Sequence, residues 1–171
     1  MSNHVKWHQR LHFDGGSIAS GNSEWDANAG KSLVSGGCNW DTAARLIREL
    51  NGQNRTYVFL GYMGDEGVDQ QLAISGGNAG RYLVVAQELG RFFYLARRPV
   101  LAFSGELVEV MVGGLPSYYP SAIVQGLSAT MDAAGHYFRT GRRGRKLSWM
   151  RCDVAERLRR GAEDKMWRSQ S

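Results

Sequence analysis

The stretch TMDAAGHYFRTGRRGRKLSW, residues 130–149, gathers the side chains of this sequence best suited to chemistry. Asp132 and His136 stand four residues apart, so on a helix they share a face. A carboxylate beside an imidazole is the pairing that general acid–base catalysis uses when a third group orients it. A hydrolase would also need a nucleophile in a strained elbow, and no Gly-x-Ser-x-Gly or similar element occurs. The apolar stripe Ile123, Leu127, Met131, Ala134 and Phe138 leaves Asp132 and His136 off its centre, at a solvent margin, where such a pair supports the helix. The sequence therefore leans toward a scaffold, not an enzyme. The rival enzyme reading requires His136→Ala to abolish activity while leaving stability nearly unchanged.

The turn that follows carries five basic residues: Arg139, Arg142, Arg143, Arg145 and Lys146. Such a patch suits nucleic acid when interleaved with exposed aromatics. It equally suits a solvated turn whose cations complement the negative end of a helix dipole, with Trp149 returning to the core. Two other motifs lose their chemistry on inspection. In SGGNAGR the residues after the glycines, YLVVAQEL, are strand-like, so a hairpin turn accounts for them better than a phosphate loop opening a helix. His4, His8 and His12 would align on a helix, but no Cys or acidic cluster accompanies them as further metal ligands. Cys38 and Cys152 lack metal-ligand spacing and suit a reducing compartment. No metal, cofactor or small-molecule ligand is expected.

These groups need elements to position them. At 171 residues and 43% hydrophobic the chain fits one domain with a real core. Its apolar runs fall far short of a membrane span, and the polar start argues against a signal peptide. The net charge of +5 is uneven: residues 1–38 carry 0, residues 39–138 carry −2 and residues 139–171 carry +7. The body is thus mildly acidic, which argues against nucleic acid as its partner. Residues 14–37 are Gly/Ser/Asn-rich, and 1–37 reads as a flexible N-terminal extension. The domain proper runs over 38–150, and 151–171 reads as a basic C-terminal helix or tail.

Within the domain, CNWDTAARLIRELNG predicts a helix capped by Asn39 or Asp41 and stopped at Asn51-Gly52. Five strand-like stretches follow at 56–62, 68–75, 81–89, 91–98 and 105–114, with links short enough to force an antiparallel meander. Pro116 and Pro120 frame a loop, and a second helix ends at Thr140-Gly141. The expected fold is α+β: an antiparallel meander sheet of about five strands with two main helices packed on one face. Trp40, Leu127, Phe138 and Trp149 are its expected core anchors.

Residues 39–150, about two thirds of the chain, resemble immunity protein family one of bacterial polymorphic toxin systems. The resemblance rests on the order of WDTAARLIRELNG, TYVFLGY, LAISGG, YLVVAQELGRFFYL, PSAIVQGLSATMDAAGHYFRTG and the closing KLSW. It implies a cytoplasmic antidote that acts by binding and occluding a cognate secreted toxin, often a deaminase or nuclease directed at nucleic acid. The mildly acidic body fits a partner with a basic cleft. The family supplies no contact motif, so the toxin-binding candidates come from residue chemistry: Asp65, Glu66 and Asp69 in one turn, Glu106 and Glu109 on the last strand, and Tyr118 and Tyr119 between the prolines. The chief alternative is a small nucleic-acid-binding regulator acting through 139–168, whose binding would fall steeply with salt.

Overall fold

The computed structural model describes residues 8–13, 17–18, 25–26, 33–34, 39–64, 67–97 and 106–168. Helix α1 (Trp40–Arg48) starts where Asn39, in extended backbone, accepts the Thr42 N–H on its side-chain oxygen at 2.8 Å, the N-cap arrangement. One face of α1 buries Ala43, Ala44, Leu46 and Ile47. Beyond its end, Asn51 Oδ1 accepts the backbone N–H groups of Gln53, Asn54 and Arg55, turning the chain into the strand that begins at Tyr57.

The main sheet has seven strands. In chain order they are β1 (His8–Phe13), β4 (Leu33–Val34), β5 (Tyr57–Gly64), β6 (Gly67–Gly76), β7 (Tyr82–Glu88), β8 (Arg91–Ala96) and β11 (Ser148–Arg151). Across the sheet the order is β11-β8-β7-β6-β5-β1-β4, every pairing antiparallel. Strands β5 to β8 form the expected meander. Within the stretch read as an extension, the backbone of 8–13 and 33–34 adds two strands to the far edge. His8 and His12 therefore sit on extended backbone, and the helical alignment of histidines does not form there. Two further two-residue strands, β2 (Ser17–Ile18) and β3 (Trp25–Asp26), pair with each other.

The fifth expected meander strand leaves the sheet. Strand β9 (Leu107–Val112) pairs instead with β10 (Leu115–Pro120), the segment expected to be a proline-framed loop. Gly113 and Gly114 both have positive φ, 59° and 79°. That backbone suits a two-residue hairpin turn and folds β10 straight back onto β9. Pro116 and Pro120 are tolerated because a hairpin strand need not donate on its outer side. The place beside β8 goes to β11, which follows the second helix, with Trp149 opposite Leu95.

Strand alternation separates two cores. Val58, Leu60, Leu72, Ile74, Tyr82, Val84, Ala86 and Leu95 point to one face, where α1 and α2 (Leu127–Thr140) cover them. Leu83, Ala96 and Met150 point to the other, under the β9–β10 hairpin and α3 (Cys152–Arg168). Helix α2 ends as expected: Gly141, at φ 67°, donates its N–H to the Tyr137 carbonyl at 2.7 Å. Its phase differs from the expected stripe. Thr130, Ala133, Ala134, Gly135 and Tyr137 are buried, Met131 and Phe138 flank them, and Leu127 is 37% exposed at the first turn. Small side chains let the helix lie close to the sheet and push the larger ones to its margins. Ile123 belongs to a 3-10 turn (Ser121–Ile123) and packs in the other core. Trp40, Phe138 and Trp149 are partly buried against the first core, so three of the four expected anchors hold and Leu127 does not.

Candidate functional site

The hairpin makes one candidate surface. Its register sets Tyr118 opposite Glu109 and Tyr119 opposite Val108, so neighbouring tyrosines face opposite ways. Tyr118 is 54% exposed, and its hydroxyl donates to Glu109 Oε2 at 3.3 Å. Leu115, at the turn, is 68% exposed. Glu106 is exposed just before β9, and its carbonyl accepts the Ser121 N–H at 3.0 Å. The hairpin is pinned to the glycine turn between β6 and β7: Asn78 Oδ1 accepts the Met111 N–H at 3.1 Å, and Arg81 donates to the Glu109 carbonyl at 3.3 Å. That glycine cluster is thus a turn between strands, as its strand-like flanks implied, and it also docks the β9–β10 hairpin. Of the sequence candidates, Glu109 and Tyr118 come together, and Glu106 stands apart at the start of the hairpin. Asp65 and Glu66 lie outside the described residues, and Asp69 falls on β6 with its side chain also outside them.

Tyr119 turns inward to a small cluster with Tyr94, at 6.5 Å between ring centroids, beside Cys152 at the start of α3. Burial pushes both phenols up, most strongly Tyr94, where Cys152, Tyr119 and Glu156 add to the rise. Burial also pushes the Cys152 thiol up, against a hydrogen bond with Tyr94 that lowers it. Each of these acids holds its proton to higher pH in the fold than in the unfolded chain. The folded state then binds more protons once pH exceeds the unfolded values, about 8.5 for Cys and about 10 for Tyr, so stability is fully present below that range and falls as pH rises through it. Denaturation midpoints taken from neutral to alkaline pH are expected to fall above about pH 9. Tyr94→Phe is expected to make the decline shallower by one proton; an unchanged slope would dissociate the cluster from it.

A second surface forms where α1, the C-terminal half of α2 and the 142–147 turn meet. A cleft of about 970 Å³ is lined by Arg48, Arg139, Arg142, Arg143, Arg145 and Lys146, with Asp132 as its one carboxylate and Trp40 and His136 among its ring surfaces. Asp132 is exposed and His136 half-buried. No hydrogen bond joins them, since the imidazole instead packs on the Gly144 backbone, where an added Cβ would lie 3.2 Å from His136 Cδ2. The turn itself is clamped. Arg143 donates to Glu88 through its backbone N–H and through Nε, each at 2.9 Å, and its guanidinium lies 3.4 Å above the Phe93 ring. Trp149 Nε1 donates to the Gly144 carbonyl at 3.2 Å. Sequence reasoning placed the basic turn and Trp149 but missed Glu88, because the partners are 55 residues apart and no local pattern links them.

The basic C-terminal segment is divided between the two faces of the sheet. Its first cations line the cleft on the α1/α2 side. On α3, at the other face, Arg157 pairs with Asp153, and Arg159 pairs with Glu156 and Glu163, while Arg151 just before it also reaches Asp153. Among the described residues no cluster of three His, Cys, Asp or Glu side chains could hold a metal, and no helix is long and apolar enough to cross a membrane.

These features define an α+β protein with a central antiparallel sheet, a braced hairpin on one face and a basic cleft on the other. Comparisons with protein-family models, with curated proteins and with solved structures find no match.

Proposed function

We propose that this chain is an immunity protein: a cytoplasmic antitoxin that neutralises a cognate secreted toxin by binding and occluding it, without catalysis of its own. The toxin is a deaminase or nuclease acting on nucleic acid. The resemblance of residues 39–150 to immunity protein family one supports the class. The observation that carries the binding face is the exposed Tyr118 ring, hydrogen-bonded to the half-buried Glu109, on a braced hairpin. An aromatic anchor of low conformational freedom with a carboxylate beside it suits the basic cleft that a nucleic-acid-directed enzyme presents. The alternative, a nucleic-acid-binding regulator using 139–168, loses its continuous track because α3 lies across the sheet from the cleft and its Arg157 and Arg159 are paired with carboxylates.

The test is co-expression with the toxin domain encoded beside this chain, followed by co-purification at low and high salt. A one-to-one complex and restored growth are expected. Tyr118→Ala is expected to weaken that complex about thirtyfold, the loss of about 2 kcal/mol typical of a central aromatic contact, while leaving the melting temperature of the free protein within a few degrees. Failure of both rescue and complex formation would overturn the reading. Rescue with full affinity in the Tyr118 variant would move the interface elsewhere.

A further inference from the structure

The cleft on the α1/α2 face is not used by the toxin-binding reading, which rests on the hairpin across the sheet. Its charge is unbalanced: Arg48, Arg139, Arg142 and Arg145 line it with Asp132 as the one carboxylate of the lining, while Arg143 beside them is held by Glu88. Arg48, Arg139, Arg142 and Arg145 have no carboxylate partner among the described residues; elsewhere Arg91 and Arg160 share that state but do not gather in one concave site. Guanidinium groups lining one cleft repel one another, and an anion between them relieves that repulsion; their planar forks match phosphate oxygens in bidentate fashion.

The site is also built in advance of any ligand. Glu88 and the Phe93 ring fix Arg143, and with it the turn that carries Arg142 and Arg145. Trp149 holds the Gly144 carbonyl, and Gly144 without a side chain admits the His136 ring. Gly135 does the same in α2, where an added Cβ would lie 3.3 Å from the Trp40 ring and 3.4 Å from the Arg139 guanidinium. Indole and guanidinium therefore adjoin on one floor. A fixed turn and floor lower the ordering cost of binding, which then falls on the exposed Arg139, Arg142 and Arg145 side chains. The volume, about 970 Å³, lies at the upper end of the range for small-molecule sites, about 300–1,000 Å³. A single concave site of this size, with ring surfaces beside the cations, fits a compact ligand better than an extended polymer.

We infer that this cleft binds a phosphorylated small molecule of nucleotide size, its phosphates among Arg139, Arg142 and Arg145 and its base against Trp40 and His136. The experiment is calorimetric titration of the full chain with a nucleoside diphosphate, inorganic pyrophosphate, the unphosphorylated nucleoside, a glutamate-rich peptide and a single-stranded oligonucleotide. Saturable one-to-one binding of the nucleoside diphosphate is expected, with pyrophosphate weaker by about tenfold for want of the base and the nucleoside alone not binding. Equal binding by pyrophosphate would also support the site, assigning recognition to the phosphate chain from whichever source. Arg142→Glu combined with Arg145→Glu is expected to weaken binding at least about tenfold. Arg145→Gln serves as the milder variant if the double one does not fold, and is expected to weaken binding severalfold. The inference is overturned if no phosphorylated ligand saturates the protein, if the glutamate peptide binds as well as the diphosphate, if only the oligonucleotide binds, or if a folded arginine variant binds with unchanged affinity.

Discussion

Tyr137→Ala is expected to cost this protein about 3–5 kcal/mol of stability, the range for truncating a large, fully buried side chain. Tyr137 is 1% exposed, the largest of the fully buried residues, and lies between α2 and the sheet in the principal core. Its neighbours on α2 are Thr130, Ala133 and Ala134, too small to fill the space left behind, and the sheet beneath cannot collapse into it without breaking its ladders. Against a typical total of about 5–15 kcal/mol, the change would leave a marginal fold. Leu127→Ala is the internal comparison. At 37% exposure it is expected to cost no more than about 1 kcal/mol. Urea titrations of the two variants measure the difference directly, and equal midpoints would show that α2 packs with the phase of its larger residues after all.

Gly77→Ala is expected to cost about 2–5 kcal/mol, combining the penalty for a side chain at positive φ with that for overpacking. Gly77 has φ 95°, and an added Cβ would fall inside the contact radius of the Leu50 carbonyl oxygen and carbon. Both are backbone atoms at the exit from α1, so no side chain can swing aside. Gly80, in the same turn, separates the two causes. It too has positive φ, 67°, yet nothing lies within 4 Å of its would-be Cβ, so Gly80→Ala is expected to cost only about 1–2 kcal/mol. Thermal melts showing equal losses would mean that conformation alone matters there and that the approach to Leu50 is slack.

Local features were legible in the sequence. The Asn39 cap, the four meander strands β5 to β8, the glycine hairpin and the Gly141 stop each depend on a few adjacent residues whose chemistry permits little else. The phase of α2 was not, because Leu127, Met131 and Phe138 compete with Ala133, Ala134 and Tyr137 for the same helix. Only the closeness of the sheet favours the stripe of small residues. Nor did the prolines at 116 and 120 reveal β10, since a proline that breaks a central strand is harmless where its nitrogen faces no partner. On the candidate surfaces, residue types pointed to Tyr118 and Glu109 separately, and the cross-strand register joined them. The basic turn was visible, but Arg48 reaches it from α1 and Glu88 clamps it from β7, contributions that depend on tertiary proximity.

The position of β11 bears on how the chain comes to be made. β8 is a neighbour of β7 from the moment both are synthesised, but its outer hydrogen-bonding groups are taken up only by residues 148–151, after some fifty intervening residues have left the ribosome. Through that interval the nascent sheet has an open flank bearing Phe92, Phe93 and Tyr94, the kind of edge that recruits strands from other chains. The closing Ser148–Arg151 segment is therefore the cap of that flank, and a chain cut short before it would leave the flank open to strands from other chains.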